Sequence, residues 1–193
     1  MQGILQSRKA RFPMRQRSVT PFITFCAVLL LSACANKPPV TGICPVTGFM
    51  DNTDTVTYLA PDAVAGQGEK NVVVRASING YRGSCSFADK KKDAVLVDLK
   101  VPFVAQKGPA GAGLKLRKFP YFIAVLSPRN EILQRTAFTT TIDFDNSENG
   151  ENTEDHSIKI PLPHGVDGAA DYKVIIGFAL THAQYAYNKE RKK

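Results

Sequence analysis

An all-β, two-sheet antiparallel β-sandwich, immunoglobulin-like in broad architecture and closed by a short C-terminal helix, is the fold this 193-residue sequence predicts. Three observations carry it. Apolar and polar residues alternate with period two in run after run, turn-forming residues punctuate the gaps, and only the last dozen residues carry a helical pattern. A single partly open barrel is the alternative arrangement of the same strands.

The runs follow in chain order. Val72, Val74, Ala76 and Ile78 alternate with Arg75, Ser77 and Asn79, which makes one half-buried strand. Val95, Val97, Leu99, Val101 and Phe103 form the longest apolar face, opposite Asp98 and Lys100; the polar stretch Phe87 to Asp93 before it reads as a hairpin tip. Tyr121 to Leu126 is apolar on both faces, as a central strand requires, and Ser127-Pro128-Arg129-Asn130 supplies a turn. Thr136, Phe138, Thr140, Ile142 and Phe144 share a face; Ile158, Ile160 and Leu162 share another, and Val174, Ile176, Phe178 and Leu180 close the series. Thr181 is placed to cap a helix over His182 to Lys193.

The N-terminal region has a different character. Arg8, Lys9, Arg11, Arg15 and Arg17 precede an uncharged stretch from Val19 to Ala33, and no acid occurs before Asp51. At about 15 residues the stretch is shorter than the roughly 20 that cross a bilayer as a helix, and a basic segment before a short apolar one describes a secretory signal. Leu31-Ser32-Ala33-Cys34 resembles the lipobox of bacterial lipoproteins, in which the signal is cleaved before the cysteine and the cysteine is lipidated. An ordinary signal peptide with a chance cysteine is the plainer alternative. The expected organisation is a signal over 1–33, a lipidated tether over 34–43, a sandwich over 44–188 and a basic tail over 189–193. Ala35, after the lipidated position, resembles lipoproteins sent to the outer membrane, so the expected location is the periplasmic face of that membrane. Met14-Arg15-Gln16-Arg17 is itself a complete basic segment, so Met14 is an alternative start.

The formal charge of +8 suggests a nucleic-acid partner until its distribution is considered. Residues 34–188 hold 16 basic and 16 acidic side chains, and the excess lies in the signal and in Lys189, Arg191, Lys192 and Lys193. No nucleic acid is expected. The tail could touch anionic lipid or wall polymer, or be a solvated terminus. Of four cysteines, Cys26 leaves with the signal and Cys34 takes lipid, which leaves Cys44 and Cys85 as an even pair in an oxidising compartment. They are expected to form a disulfide, closing a loop of about 40 residues that the chain-entropy model values at roughly 4 kcal/mol.

Candidate sites are sparse. Asp145 to His156 resembles a calcium loop at its first, third, fifth and sixth positions, but the twelfth is His156 rather than glutamate; an acidic hairpin loop turning at Asn149-Gly150 is the expected structure. His156, His164 and His182 belong to no HExxH or GxSxG motif, though the fold could still assemble a Ser-His-Asp set. Gly108 to Gly113 lacks the features of a phosphate loop and reads as a flexible connection; Lys115, Arg117 and Lys118 follow it. Tyr81-Arg82, bracketed by Gly80 and Gly83, is a candidate partner contact because tyrosine and arginine favour binding hot spots. The alternative there is a kinked strand whose glycines bring Cys85 to Cys44. No catalytic residue, metal or cofactor is implied.

Cys44-Pro45 after the lipobox, Gly80-Tyr81-Arg82-Gly83-Ser84-Cys85, the Gly108-Pro109-Ala110 loop and the ending Gly177 to Thr181, Gln184 and Tyr187-Asn188 resemble a family of uncharacterised proteobacterial lipoproteins, of alphaproteobacterial type. The resemblance covers most of 44–188. It implies the disulfide and the terminal segment and brings no activity. The expected function is a non-catalytic binding or accessory module of the cell envelope, attached to the membrane through its lipid and meeting an envelope protein. A wall- or lipid-contacting structural module using the basic tail with Lys115, Arg117 and Lys118 is the alternative, and a hydrolase a more distant one.

Overall fold

The computed structural model describes residues 44–61 and 68–191. The expected signal, Cys34 and the expected tether lie outside the described residues. Among the described residues nine strands form two sheets, with one α-helix at the end. The first sheet has β1 (Val46–Phe49), β9 (Lys173–Phe178), β6 (Leu116–Leu126) and β7 (Ile132–Asp143), in that order. The second is built on β5 (Ala94–Lys107). Along one side of β5 runs β8 (Asn149–Pro161); along the other, β4 (Arg82–Phe87) pairs with its first half and β3 (Val72–Ile78) with its last, and β2 (Thr55–Leu59) pairs outside β3. The expected sandwich is present, with one departure from a purely antiparallel scheme: β1 pairs parallel to β9.

Alternation drives this assembly. Val97, Leu99, Val101 and Phe103 from β5 face Phe119, Tyr121, Ile123 and Val125 from β6, all buried. Aromatic rings knit the centre: Phe103 lies 4.7 Å from Tyr121 and 5.8 Å from Phe178 between centroids, inside the range in which such pairs attract.

Two prolines occupy central strands, where a missing N–H normally breaks a ladder. Each sits where a neighbouring strand stops. The carbonyl of Pro102 in β5 accepts from Asn79 N–H, in the gap between β3 and β4, and the carbonyl of Pro120 in β6 accepts from Ala179 N–H, just past the end of β9. A residue's N–H and C=O leave an antiparallel strand on the same side, so the absent donors point at these gaps. At the first gap Gly80 turns the chain with φ +82°, a conformation that glycine adopts without strain.

Several expectations need correction. The acidic stretch 145–156 is not a loop. The turn is confined to Phe144 to Glu148, with Asp145 and Asn146 at positive φ and Ser147 N–H donating to the Phe144 carbonyl, and Asn149-Gly150 already begin β8. Nor is 108–113 merely slack. Pro109–Gly111 form a 3-10 turn pressed on β3, and a Cβ on Gly111 would stand 1.9 Å from the Val73 carbonyl oxygen. The C-terminal helix, by contrast, is present as expected: α1 spans His182–Arg191, which takes in the described part of the basic tail.

The helix starts with a reciprocal cap. Thr181 N–H donates to Gln184 Oε1 at 2.9 Å, and Gln184 N–H donates to Thr181 Oγ1 at 3.3 Å, so two otherwise unpaired donors are satisfied together. It is anchored by Asn188, which is 4% exposed and donates Nδ2 to the carbonyls of Asn52 and Thr55, each at 2.8 Å. Arg191 bonds Glu69 at 2.6 Å, and Glu69 also pairs with Arg75; the two guanidiniums hold the Glu69 carboxyl below its ordinary pKa. Removing the Asn188 amide leaves two carbonyls without their donor, so Asn188→Ala is expected to destabilise the domain by about 2 kcal/mol, read as a lower urea midpoint with an unchanged slope.

Candidate functional site

Three surfaces carry chemistry: the disulfide corner, a polar seam between the sheets, and the outer face of the first sheet. At the corner, Cys44 and Cys85 form the expected disulfide, with their Cα atoms 5.7 Å apart. Tyr81 donates its hydroxyl to the Thr47 carbonyl at 2.6 Å and meets the Phe49 ring edge-on at 5.8 Å. Its ring is part of what fastens β1, and 39% of the residue stays exposed. Arg82 is exposed and borders a shallow depression of about 500 Å³ with Asp98, Lys100 and Asp155.

The seam lies where β7 and β8, joined by their turn but belonging to different sheets, form neighbouring rims of the sandwich. Alternation turns Asn152, Glu154 and His156 of β8 toward the interior, opposite Thr140 and Phe138 of β7. Asn152 donates to Thr140 Oγ1 at 3.0 Å and to Glu154 Oε1 at 2.8 Å. Tyr121 Oη and His156 Nε2 are 2.9 Å apart, and the imidazole packs 4.5 Å from the Phe138 ring. Burial pushes the Tyr121 hydroxyl far above its ordinary pKa, with the Glu154 charge adding to the shift. Burial lowers His156, against the opposing pull of Glu154 and Asp155.

The histidines do not converge. His156 is in the seam, His164 lies in the loop after β8, and His182 opens α1. Ser157 bonds Asp98 at 2.7 Å on the opposite face of β8 from the imidazole, so this serine, histidine and aspartate make no triad. Among the described residues no group of three or more His, Cys, Asp or Glu side chains is placed to hold a metal ion. The strand geometry of 149–156 replaces the calcium loop considered from sequence.

The outer face of the first sheet follows from its register. Val46, Lys173, Leu126 and Ile132 form one rung across the four strands, and Gly48, Ile175, Ala124 and Arg135 form a second. Side chains alternate faces along a strand, and the residues between, such as Val125 and Val174, enter the core. With α1 beside it, this face forms an open groove of about 700 Å³ over Met50, Phe122, Ala124, Leu126, Ile132 and Ile175. That volume falls within the roughly 300–1,000 Å³ of small-molecule clefts. The Arg135 guanidinium lies 4.4 Å over the Phe122 ring, and Lys173 donates to Asn130 Oδ1 at 2.8 Å. The apolar outer positions of β6 supplied a signal for this groove, because a strand apolar on both faces must cover both.

Two of the basic residues of the alternative reading are engaged within the domain. Arg117 lies 4.0 Å over the Tyr58 ring, and Arg191 is engaged by Glu69. No protein-family model, no curated protein and no solved structure matches the chain. Fold and surface together define a disulfide-stapled β-sandwich with an apolar outer face.

The seam predicts a pH dependence. Because His156 has a lower pKa folded than its ordinary value of about 6.5, the unfolded chain binds more protons in the window between the two values. Its contribution is fully present above that window and is lost as pH falls through it. Lowering pH from about 7.5 to about 5.5 should reduce Tm more in the native protein than in His156→Gln; equal declines would contradict the account.

Proposed function

We propose that this chain is a lipoprotein tethered at Cys34 to the periplasmic face of the outer membrane, its sandwich acting as a non-catalytic binding module of the cell envelope. The lipobox and the Cys44–Cys85 bond support the location, since the disulfide begins the domain ten positions after Cys34. The observation that carries the binding reading is the open edge of β7. This strand is 12 residues long, contains no proline or lysine, and among the described residues pairs in its sheet with β6 alone. Such an edge is a template for an added strand. The β8 edge is less suited, because Glu151, Glu154, Asp155 and Lys159 line it with charge.

The register gives a selective way to block that edge. Pro120 directs its carbonyl toward the β9 side, so its partner Thr139 directs its own N–H and C=O away from β6, to the open side. Thr139→Pro therefore removes an outward donor and spares the ladder to β6. In-cell crosslinking of the acylated protein is expected to recover one envelope protein complex, lost in Cys34→Ser and weakened in Thr139→Pro. Recovery of wall fragments and abundant porins alone would contradict a protein partner and favour a wall-contacting module.

A further inference from the structure

We infer that the end of the sandwich from which the tether departs is a membrane-docking face: Val46, Ile132 and Leu133 enter the bilayer that holds the anchor, with the Val46–Lys173–Leu126–Ile132 rung lying along its surface. The inference rests on the lipid-anchor reading and adds to it the surface that meets the lipid.

The turn after β7 joins Asp143 to Asn149, so the opposite ends of those two strands, Ile132 and Pro161, lie at the same end of the sandwich. Val46, Lys173 and Leu126 share the rung of Ile132. The chain enters β1 at Val46, directly after Cys44, so the tether reaches the domain at this end and the disulfide holds it there.

The most exposed aliphatic side chains of the described residues lie at that end, Val46 on one rim of the sheet and Ile132 and Leu133 on the other. Ile132 is 66% exposed, Val46 60% and Leu133 55%. Water-facing aliphatic groups clustered on one end of a domain mark a contact surface. Ten residues lie between the end of the signal and Cys44, and extended chain covers at most about 3.6 Å per residue. A domain on so short a leash keeps its entry end near the headgroups.

Charge fixes the chemistry of the contact. Lys90, Lys91, Lys92, Arg129 and Lys173 stand at this end, but so do Asp89, Asp93, Glu131 and Asp171. The surface is nearly balanced, which suits shallow apolar insertion at the interface better than capture by anionic lipid alone. Docked in this way, β7 runs away from the membrane from Ile132 to Asp143, and its open edge faces the periplasm.

The sequence contains no tryptophan, so one introduced indole reports its own surroundings. Ile132→Trp and Leu116→Trp place it on exposed sites of the same outer face. Leu116 lies ten residues of β6 from Leu126, about 33 Å along the strand. The full acylated protein is reconstituted in phosphatidylethanolamine–phosphatidylglycerol vesicles with brominated acyl chains, and its intact mass verifies the lipid. Emission from I132W is expected to shift blue and lose most of its intensity, at low and high salt alike, while L116W stays unquenched. Unquenched I132W in an acylated preparation, equal quenching of both variants, or quenching abolished by salt would overturn the docking face. A mass without acyl groups would overturn the lipid-anchor reading itself.

Discussion

The bond between Cys44 and Cys85 is the constraint on which the β1 corner, and with it the entry of the chain into the sandwich, depends. It joins the chain just before β1, a four-residue strand on the rim of one sheet, to β4 in the other. A strand that short adds few ladder bonds, and its parallel pairing to β9 leaves its start at the exposed end of the domain. The disulfide limits how far that start can stray, and the Tyr81 hydroxyl on Thr47 with the Phe49–Tyr81 contact holds the same corner. The covalent link thus does two things at once: it closes the rim of the sandwich and sets the point at which the chain enters β1.

Polar groups are placed by similar economy of position. The two central prolines coincide with gaps in neighbouring strands, and the neighbouring rims β7 and β8 differ in character. One is largely threonine and apolar; the other carries alternating charge. Between them the Tyr121–His156 contact fills a seam that neither sheet covers completely. A buried hydroxyl and a neutral imidazole satisfy one another there, at the cost of making the folded state intolerant of a proton on His156.

Much of this was legible from pattern. Period-two alternation located β3, β5, β7 and β9, because each buries one face against the other sheet, and β6 stood out as a run apolar on both faces. Two short elements escaped it. β1 contains a glycine and is extended because β9 pairs with it, and β2, Thr-Val-Thr-Tyr-Leu, alternates but is too brief to stand apart from its surroundings. The first half of β8 reads as an acidic loop because Asn152, Glu154 and His156 face a polar seam instead of an apolar core. The open β7 edge and the apolar rung depend on which strands are neighbours, and local sequence does not carry that information. Asn188 gives no local cue either, since the carbonyls it meets are more than 130 residues away.

Amide hydrogen exchange, with the disulfide intact and after selective reduction, tests the central claim most directly. If Cys44–Cys85 holds the β1 corner onto an otherwise self-sufficient sandwich, reduction will release the amides of 46–49 and of the Tyr81 segment while β5 and β6 keep their protection. Unchanged protection at 46–49, or a uniform loss across both sheets, would contradict it.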